Sequence, residues 1–140
     1  MAKRVLVLCT GNSCRSQMAA GFLRSFDSNL EVYSAGTEPA DKVSSHAIAV
    51  MKEIGIDLSQ ERPKSVEQFI RFPFDYVITV CDEANEICPA FLGAVKHRLH
   101  MGFHDPTWTF GSEEEILAEH RRIRDEIGEA FRALYDKQLK

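Results

Sequence analysis

The chain begins with an uninterrupted apolar run. Val5 to Leu8 follow one another with no polar residue between them, and Cys9 comes next. A short run of β-branched residues and leucine, without alternation, predicts a strand buried on both faces over Lys3–Cys9. Thr10-Gly11-Asn12-Ser13 is a turn cluster that stops it. Apolar residues then recur at helical spacing, at Met18, Ala19, Phe22, Leu23 and Phe26, and predict a helix over Ser16–Phe26. Glu31–Ala35 is a second strand, ended by Gly36. Ser44–Ile54 is a helix with a serine cap and Gly55 beyond it. Ser65-Val66-Glu67-Gln68 has the capping-box pattern of another short helix. The sequence FDYVITVC at Phe74–Cys81 is a third buried strand, and His97–Met101 a weaker fourth. Ser112 caps the last helix with Glu115 at the reciprocal position. Ile116, His120, Ile123, Ile127, Phe131 and Leu134 mark its apolar face.

This order predicts an α/β protein: a single three-layer domain over residues 1–140, with a small four-stranded parallel sheet flanked by helices. Ligands of such sheets bind beyond the carboxyl ends of the strands. Cys9 ends the first strand, Cys81 ends the third, and Asp105-Pro106 follows the fourth. Far apart in sequence, the three should meet at one edge.

Composition narrows the chemistry. Of 140 residues, 44% are hydrophobic and 27% charged, which excludes disorder. Seventeen basic against 21 acidic residues leave a net charge of −4, with no global pull toward nucleic acid or an anionic membrane. Any anion site must be local. The first apolar run is too short for a signal peptide or a membrane span, so a cytoplasmic protein is expected. In a reducing compartment the four cysteines, Cys9, Cys14, Cys81 and Cys88, are not a structural disulfide framework.

Cys9-Thr10-Gly11-Asn12-Ser13-Cys14-Arg15-Ser16 is a cysteine, five residues and an arginine, set between a strand and a helix. Loop amides and the first helical turn converge on one point and form an anion cradle over residues 10–16. Gly11 supplies backbone freedom. Arg15 offers a planar, two-pronged donor to a tetrahedral oxyanion. The same positive surroundings favour the thiolate of Cys9 as a nucleophile. Ser16 can donate a hydrogen bond to that thiolate, and Asn12 is suited to holding the loop. The bland alternative is a buried cysteine followed by an ordinary turn.

Four segments carry a family resemblance: CTGNSCRSQ at 9–17, SAGT at 34–37, ITVCDEANEICP at 78–89 and FHDP at 103–106. They resemble the low-molecular-weight protein tyrosine phosphatase superfamily and, within it, the thioredoxin-coupled arsenate reductases. The phosphatase branch usually has proline where Gln17 stands here. The resemblance implies a phosphatase-like fold and the reduction of arsenate to arsenite, an arsenic detoxification reaction. Cys9 attacks arsenate in the cradle of Thr10, Gly11, Asn12, Ser13, Cys14, Arg15 and Ser16. Asp105 protonates the departing oxygen. Cys81 attacks Cys9, which releases arsenite, and Cys88 then attacks Cys81. Thioredoxin reduces the resulting pair. No cofactor or metal is held tightly. A monovalent cation near the loop belongs to some reductases of this type, and none of its ligands is assigned here. Phosphate and sulfate would compete as oxyanions, and the chain is expected to be a monomer. The alternative is a phosphatase acting on aryl phosphates, with Cys81 and Cys88 incidental. A non-catalytic oxyanion-binding or redox-sensing module is a third class.

Geometry adds a constraint on the second cysteine pair. Seven helical steps separate Cα atoms by roughly 10 Å, whereas a disulfide needs about 7 Å or less. The helix-compatible stretch Asp82–Ile87 must therefore unwind or loop out on oxidation. Two inert core thiols are the bland reading of Cys81 and Cys88. A zinc site is disfavoured by the cysteine spacing. Cys14 is expected to pack behind the cradle. Asp105 is a general acid by position, with a plain Asp-Pro turn as the alternative, and His104 beside it either tunes it or sits at the surface. Trp108 caps the site or simply packs. Lys42 and Lys64 sit in loops and could steer anions, with plain solvated lysines as the default.

Overall fold

Val5, Leu6, Val7 and Leu8 have no exposed surface, as a strand covered on both faces requires. They belong to β1 (Arg4–Cys9) of a computed structural model that describes residues 2–82 and 90–140. The segment 83–89 lies outside the described residues. It includes Cys88 and nearly all of the Asp82–Ile87 stretch expected to unwind.

The chain continues through α1 (Arg15–Phe26), β2 (Glu31–Gly36), α2 (Ser45–Lys52), β3 (Phe74–Thr79), β4 (Val95–His100) and α3 (Glu113–Leu134). Short 3₁₀ turns at Val66–Phe69 and Pro106–Trp108 precede β3 and α3. All strands are parallel, in the order β2-β1-β3-β4. β1 connects outward to β2 on one side and β3 to β4 on the other. The crevice between β1 and β3 is thus the point where the strand order reverses and ligands gather.

The sheet's two faces are covered differently. Val5, Val7, Tyr76 and Ile78 pack with Met18, Leu23, Met51, Ile123, Ile127 and Phe131 of the three helices. Leu6, Leu8 and Val77 pack on the other face with Phe69, Phe74 and Phe91. Arg121 and Arg124 of α3 both bond Glu53, just past α2, and Arg124 also donates to the Val50 carbonyl at 2.9 Å. α3 has the expected reciprocal cap: Ser112 Oγ accepts from Glu115 N–H, and Glu115 returns to the Ser112 N–H. Its stripe buries His120, Ile123, Ile127, Phe131 and Leu134.

Element ends differ from the sequence pattern where strands leave the ladder. β3 closes at Thr79 rather than Cys81: Val80 N–H still bonds the Leu8 carbonyl at 2.9 Å, and a bend at Cys81 then ends the extended chain. β4 starts at Val95 rather than His97. It pairs only with β3, and its exposed Lys96, His97 and Arg98 hide the apolar signature of a strand.

Candidate functional site

The loop after β1 is fastened by its carbonyls. Glu38 N–H bonds Thr10 O at 3.0 Å, Ala40 N–H bonds Gly11 O at 2.9 Å, and Ser44 N–H bonds Ser13 O at 2.8 Å. These bonds engage the carbonyl side of the loop. Gly36, at the end of β2, lies so close that a Cβ there would sit 2.3 Å from Thr10 O. A side chain at this position would displace the loop.

The backbone freedom of the loop is used at Asn12 rather than at Gly11: Asn12 takes the left-handed conformation, at φ 51°. Asparagine tolerates this region because its short amide bonds locally, and here it has the partners. Asn12 Oδ1 accepts the Lys64 N–H at 2.9 Å, and Asn12 Nδ2 donates to Ser16 Oγ at 2.8 Å. Ser16 Oγ lies 3.0 Å from Cys9 Sγ, and all three residues are buried. The Cys9 thiol is free.

Arg15 is 3% exposed, an arrangement affordable for a guanidinium only with partners. Its Nη1 donates to the Phe103 carbonyl at 3.1 Å and its Nη2 lies 3.4 Å from Asp105 Oδ2. Asp105 thus faces the loop across the crevice. Its other oxygen accepts from Thr107 N–H at 3.0 Å and Thr107 Oγ1 at 2.6 Å, capping the 3₁₀ turn. Turn-former and partner of the site arginine are one residue here, not alternatives.

Cys14 is free and buried, and burial pushes its thiol well up, with the negative charges of Asp105 and Cys9 adding to this and Arg15 opposing it. It stays protonated and packs within the helix-covered core. Cys81 has no exposed surface and is disulfide-bonded. Beyond Thr79 it leaves β3 on the same edge as Cys9. Cys88 lies outside the described residues.

The remaining polar residues separate clearly. His104 is exposed and lies 3.8 Å from Asp82, not against Asp105. Trp108 is 71% exposed on its 3₁₀ turn, so it does not pack into the core. Lys64 Nζ donates to the Arg62 carbonyl at 2.9 Å, and partial burial lowers its pKa below the usual lysine value. Among the described residues, no group of three or more His, Cys, Asp or Glu side chains is placed to hold a metal. No helix among them is long and apolar enough to cross a membrane. Three supports were not legible beforehand: the Phe103 carbonyl under Arg15, the Lys64 amide on Asn12, and Gln17, described below. The FHDP and SAGT segments marked the neighbourhood but not the contacts.

This geometry has counterparts among known proteins. An arsenate reductase of Halalkalibacterium halodurans is 45% identical over 134 residues, covering 94% of this chain and 95% of that one. A solved arsenate reductase in the oxidized state superposes with a TM-score of 0.79 at 30% identity, over 96% of this chain and 98% of that one. A thioredoxin-dependent arsenate reductase of Corynebacterium glutamicum gives 0.62 at 28% identity, over 98% of this chain and 64% of the longer one. The family model for low molecular weight phosphotyrosine protein phosphatase matches residues 4–140. By that match over nearly its whole length, and by its parallel sheet, the chain belongs to the low molecular weight phosphotyrosine protein phosphatase family.

Proposed function

We propose that this protein is a thioredoxin-coupled arsenate reductase of the cytoplasm, acting as a single-domain monomer. The observation that carries the reading is the pairing of two cysteines at one sheet edge. Cys9 is a free thiol against the Ser16 hydroxyl, and Cys81, past the end of the neighbouring strand, is disulfide-bonded. A phosphatase needs only the first. The likeness to relatives that are arsenate reductases supports the same choice.

In this reading arsenate enters the cradle of residues 10–16 and takes the Arg15 guanidinium as a two-pronged partner. The Cys9 thiolate attacks arsenic, and one arsenate oxygen leaves as water with a proton from Asp105. Cys81 thiolate then attacks Cys9 Sγ. A Cys9–Cys81 disulfide forms, the S–As bond breaks, and its electron pair stays on arsenic, which departs as arsenite. Cys88 attacks Cys81 and frees Cys9 as a thiolate. The two electrons lost by the pair are returned by thioredoxin through ordinary thiol–disulfide exchange. A free Cys9 with Cys81 disulfide-bonded is the state that the last exchange leaves behind.

The test is arsenate-dependent NADPH oxidation with thioredoxin and its reductase, run beside aryl phosphate hydrolysis. Cys9→Ser, Cys81→Ser and Cys88→Ser should each abolish arsenate turnover, while aryl phosphate hydrolysis, where present, survives the last two. Aryl phosphate hydrolysis without arsenate turnover in the unaltered chain would establish the phosphatase instead. Arsenate turnover that persists without Cys88 would point to a glutaredoxin-type reductant.

A further inference from the structure

Gln17 is the second residue of α1 and has no exposed surface. Its Nε2 faces three acceptors: the Asn12 carbonyl at 3.1 Å, Asn12 Oδ1 at 3.2 Å and the Arg62 carbonyl at 3.1 Å. Three acceptors around one end of the amide settle its orientation, since only the NH₂ can meet them. Its Oε1 is then left buried without a partner. An orphaned buried oxygen is costly. The side chain bears that cost while binding the loop and the 62–64 segment together.

The orientation propagates. Asn12 Oδ1 receives both Gln17 Nε2 and the Lys64 N–H, so its Nδ2 must face Ser16 Oγ. Ser16 Oγ accepts that bond and carries one hydrogen of its own. The partner left for that hydrogen is Cys9 Sγ at 3.0 Å.

We propose that Gln17 is a positioning residue: it locks the Asn12 amide and, through Asn12 and Ser16, directs a hydroxyl hydrogen onto the Cys9 sulfur. Gln17 Nε2 fixes the Asn12 end, Asn12 Nδ2 donates to Ser16, and the Ser16 hydroxyl is left to donate to that sulfur, which makes Cys9 the acceptor and suits it to be a thiolate. Without Gln17 the Asn12 amide keeps only the Lys64 N–H on its Oδ1, its hold on Ser16 weakens, and the Ser16 hydroxyl can then also accept from a Cys9 thiol. The inference rests on reading Cys9 as the nucleophile, but not on the identity of its substrate.

The test is iodoacetamide alkylation of Cys9 in the full chain, mapped by peptide mass, with arsenate and thioredoxin absent. Gln17→Met keeps length and removes the donor. It should slow alkylation at pH 7 about tenfold, the worth of one well-made hydrogen bond, and leave the rate at pH 10 unchanged. In a Ser16→Ala background the same substitution should add nothing, because its route to Cys9 is already cut. Unchanged alkylation at pH 7 overturns the proposal. So does an effect that simply adds to Ser16→Ala, or a rise at both pH values, which is the mark of a loosened loop. In the unaltered chain, the side-chain amide protons of Gln17 and Asn12 should exchange slowly with solvent. Fast exchange overturns the proposal even where Gln17→Met does not fold. A chain that alkylates as expected yet fails to reduce arsenate would sink the proposed function and leave this inference standing.

Discussion

Two segments face each other across the crevice, and they are held in place by different means. The loop of residues 9–17 is tied at almost every step. Its carbonyls are bonded by the 38–44 segment, and its side chains bond one another from Gln17 through Asn12 and Ser16 to Cys9. The 101–109 segment hangs from fewer points. Met101 and Phe103 N–H bond Thr79 O and Val80 O at 2.8 and 3.2 Å, Phe103 lies tilted against Phe131, and Arg15 reaches across to Phe103 O and Asp105. The surroundings of Cys9 are thus held by the loop's own side chains and by the 38–44 and 62–64 segments, whereas the position of Asp105 depends on Arg15 of the loop. In the proposed reaction an incoming oxyanion competes for the guanidinium, and Asp105 is then the group next to the new ligand.

The strongest way to break this contrast is Arg15→Lys. A lysine keeps the charge but has no fork to reach both the Phe103 carbonyl and Asp105. Arsenate turnover should fall roughly 10²- to 10³-fold, with Cys9 still open to alkylation because its own bonds are untouched. Equal loss of Cys9 reactivity would show that the two segments are not separately built. Phe131→Ala removes the ring under Phe103 from a fully buried position. It should cost about 3–5 kcal/mol in urea unfolding, and near its midpoint the Asp105 side should lose function before the loop does.

A smaller effect comes from His120, buried on α3 against His46. Its Nδ1 bonds the Ile116 carbonyl at 2.8 Å, and its Nε2 has no partner. Burial lowers its pKa below the usual 6.5, helped by His46 and opposed by that carbonyl bond and by the charges of Asp105 and Glu119. The folded protein therefore rejects a proton that the unfolded chain accepts. Stability from this group is complete above about pH 6.5 and is lost as the pH falls toward the lower folded value. Thermal melts across pH 5 to 7.5 should show this loss, and His120→Leu should flatten it. The smallest effect expected is that of Cys14→Ala. A buried, protonated thiol packed behind the loop contributes little to chemistry, so arsenate turnover should stay within about threefold, with stability lower by about 1 kcal/mol.

Much of this was readable from residue order. The uninterrupted Val5–Leu8 run, the Ser112–Glu115 cap and the three- and four-residue spacing through Leu134 located β1 and α3, because burial and capping act within a turn or a strand. The cysteine–arginine spacing located the loop for the same reason. β4 was read late because an edge strand buries little. That Asn12, and not a glycine, takes the left-handed conformation of the loop was not legible. The outcome depended on the Lys64 amide, which approaches from a remote turn.

By itself the sequence determined the element order, the loop with Cys9, Arg15 and Ser16, and the presence of cysteines beyond the one a phosphatase uses. Each of these is a local pattern of spacing, capping or residue type. Only the tertiary structure decided that Asp105 pairs with Arg15 while capping its own turn, that Cys14 lies buried behind the cradle, and that Gln17 holds the loop. Those facts depend on parallel strands bringing residues some 90 positions apart to one edge, where the burial of each polar group forces a choice of partner.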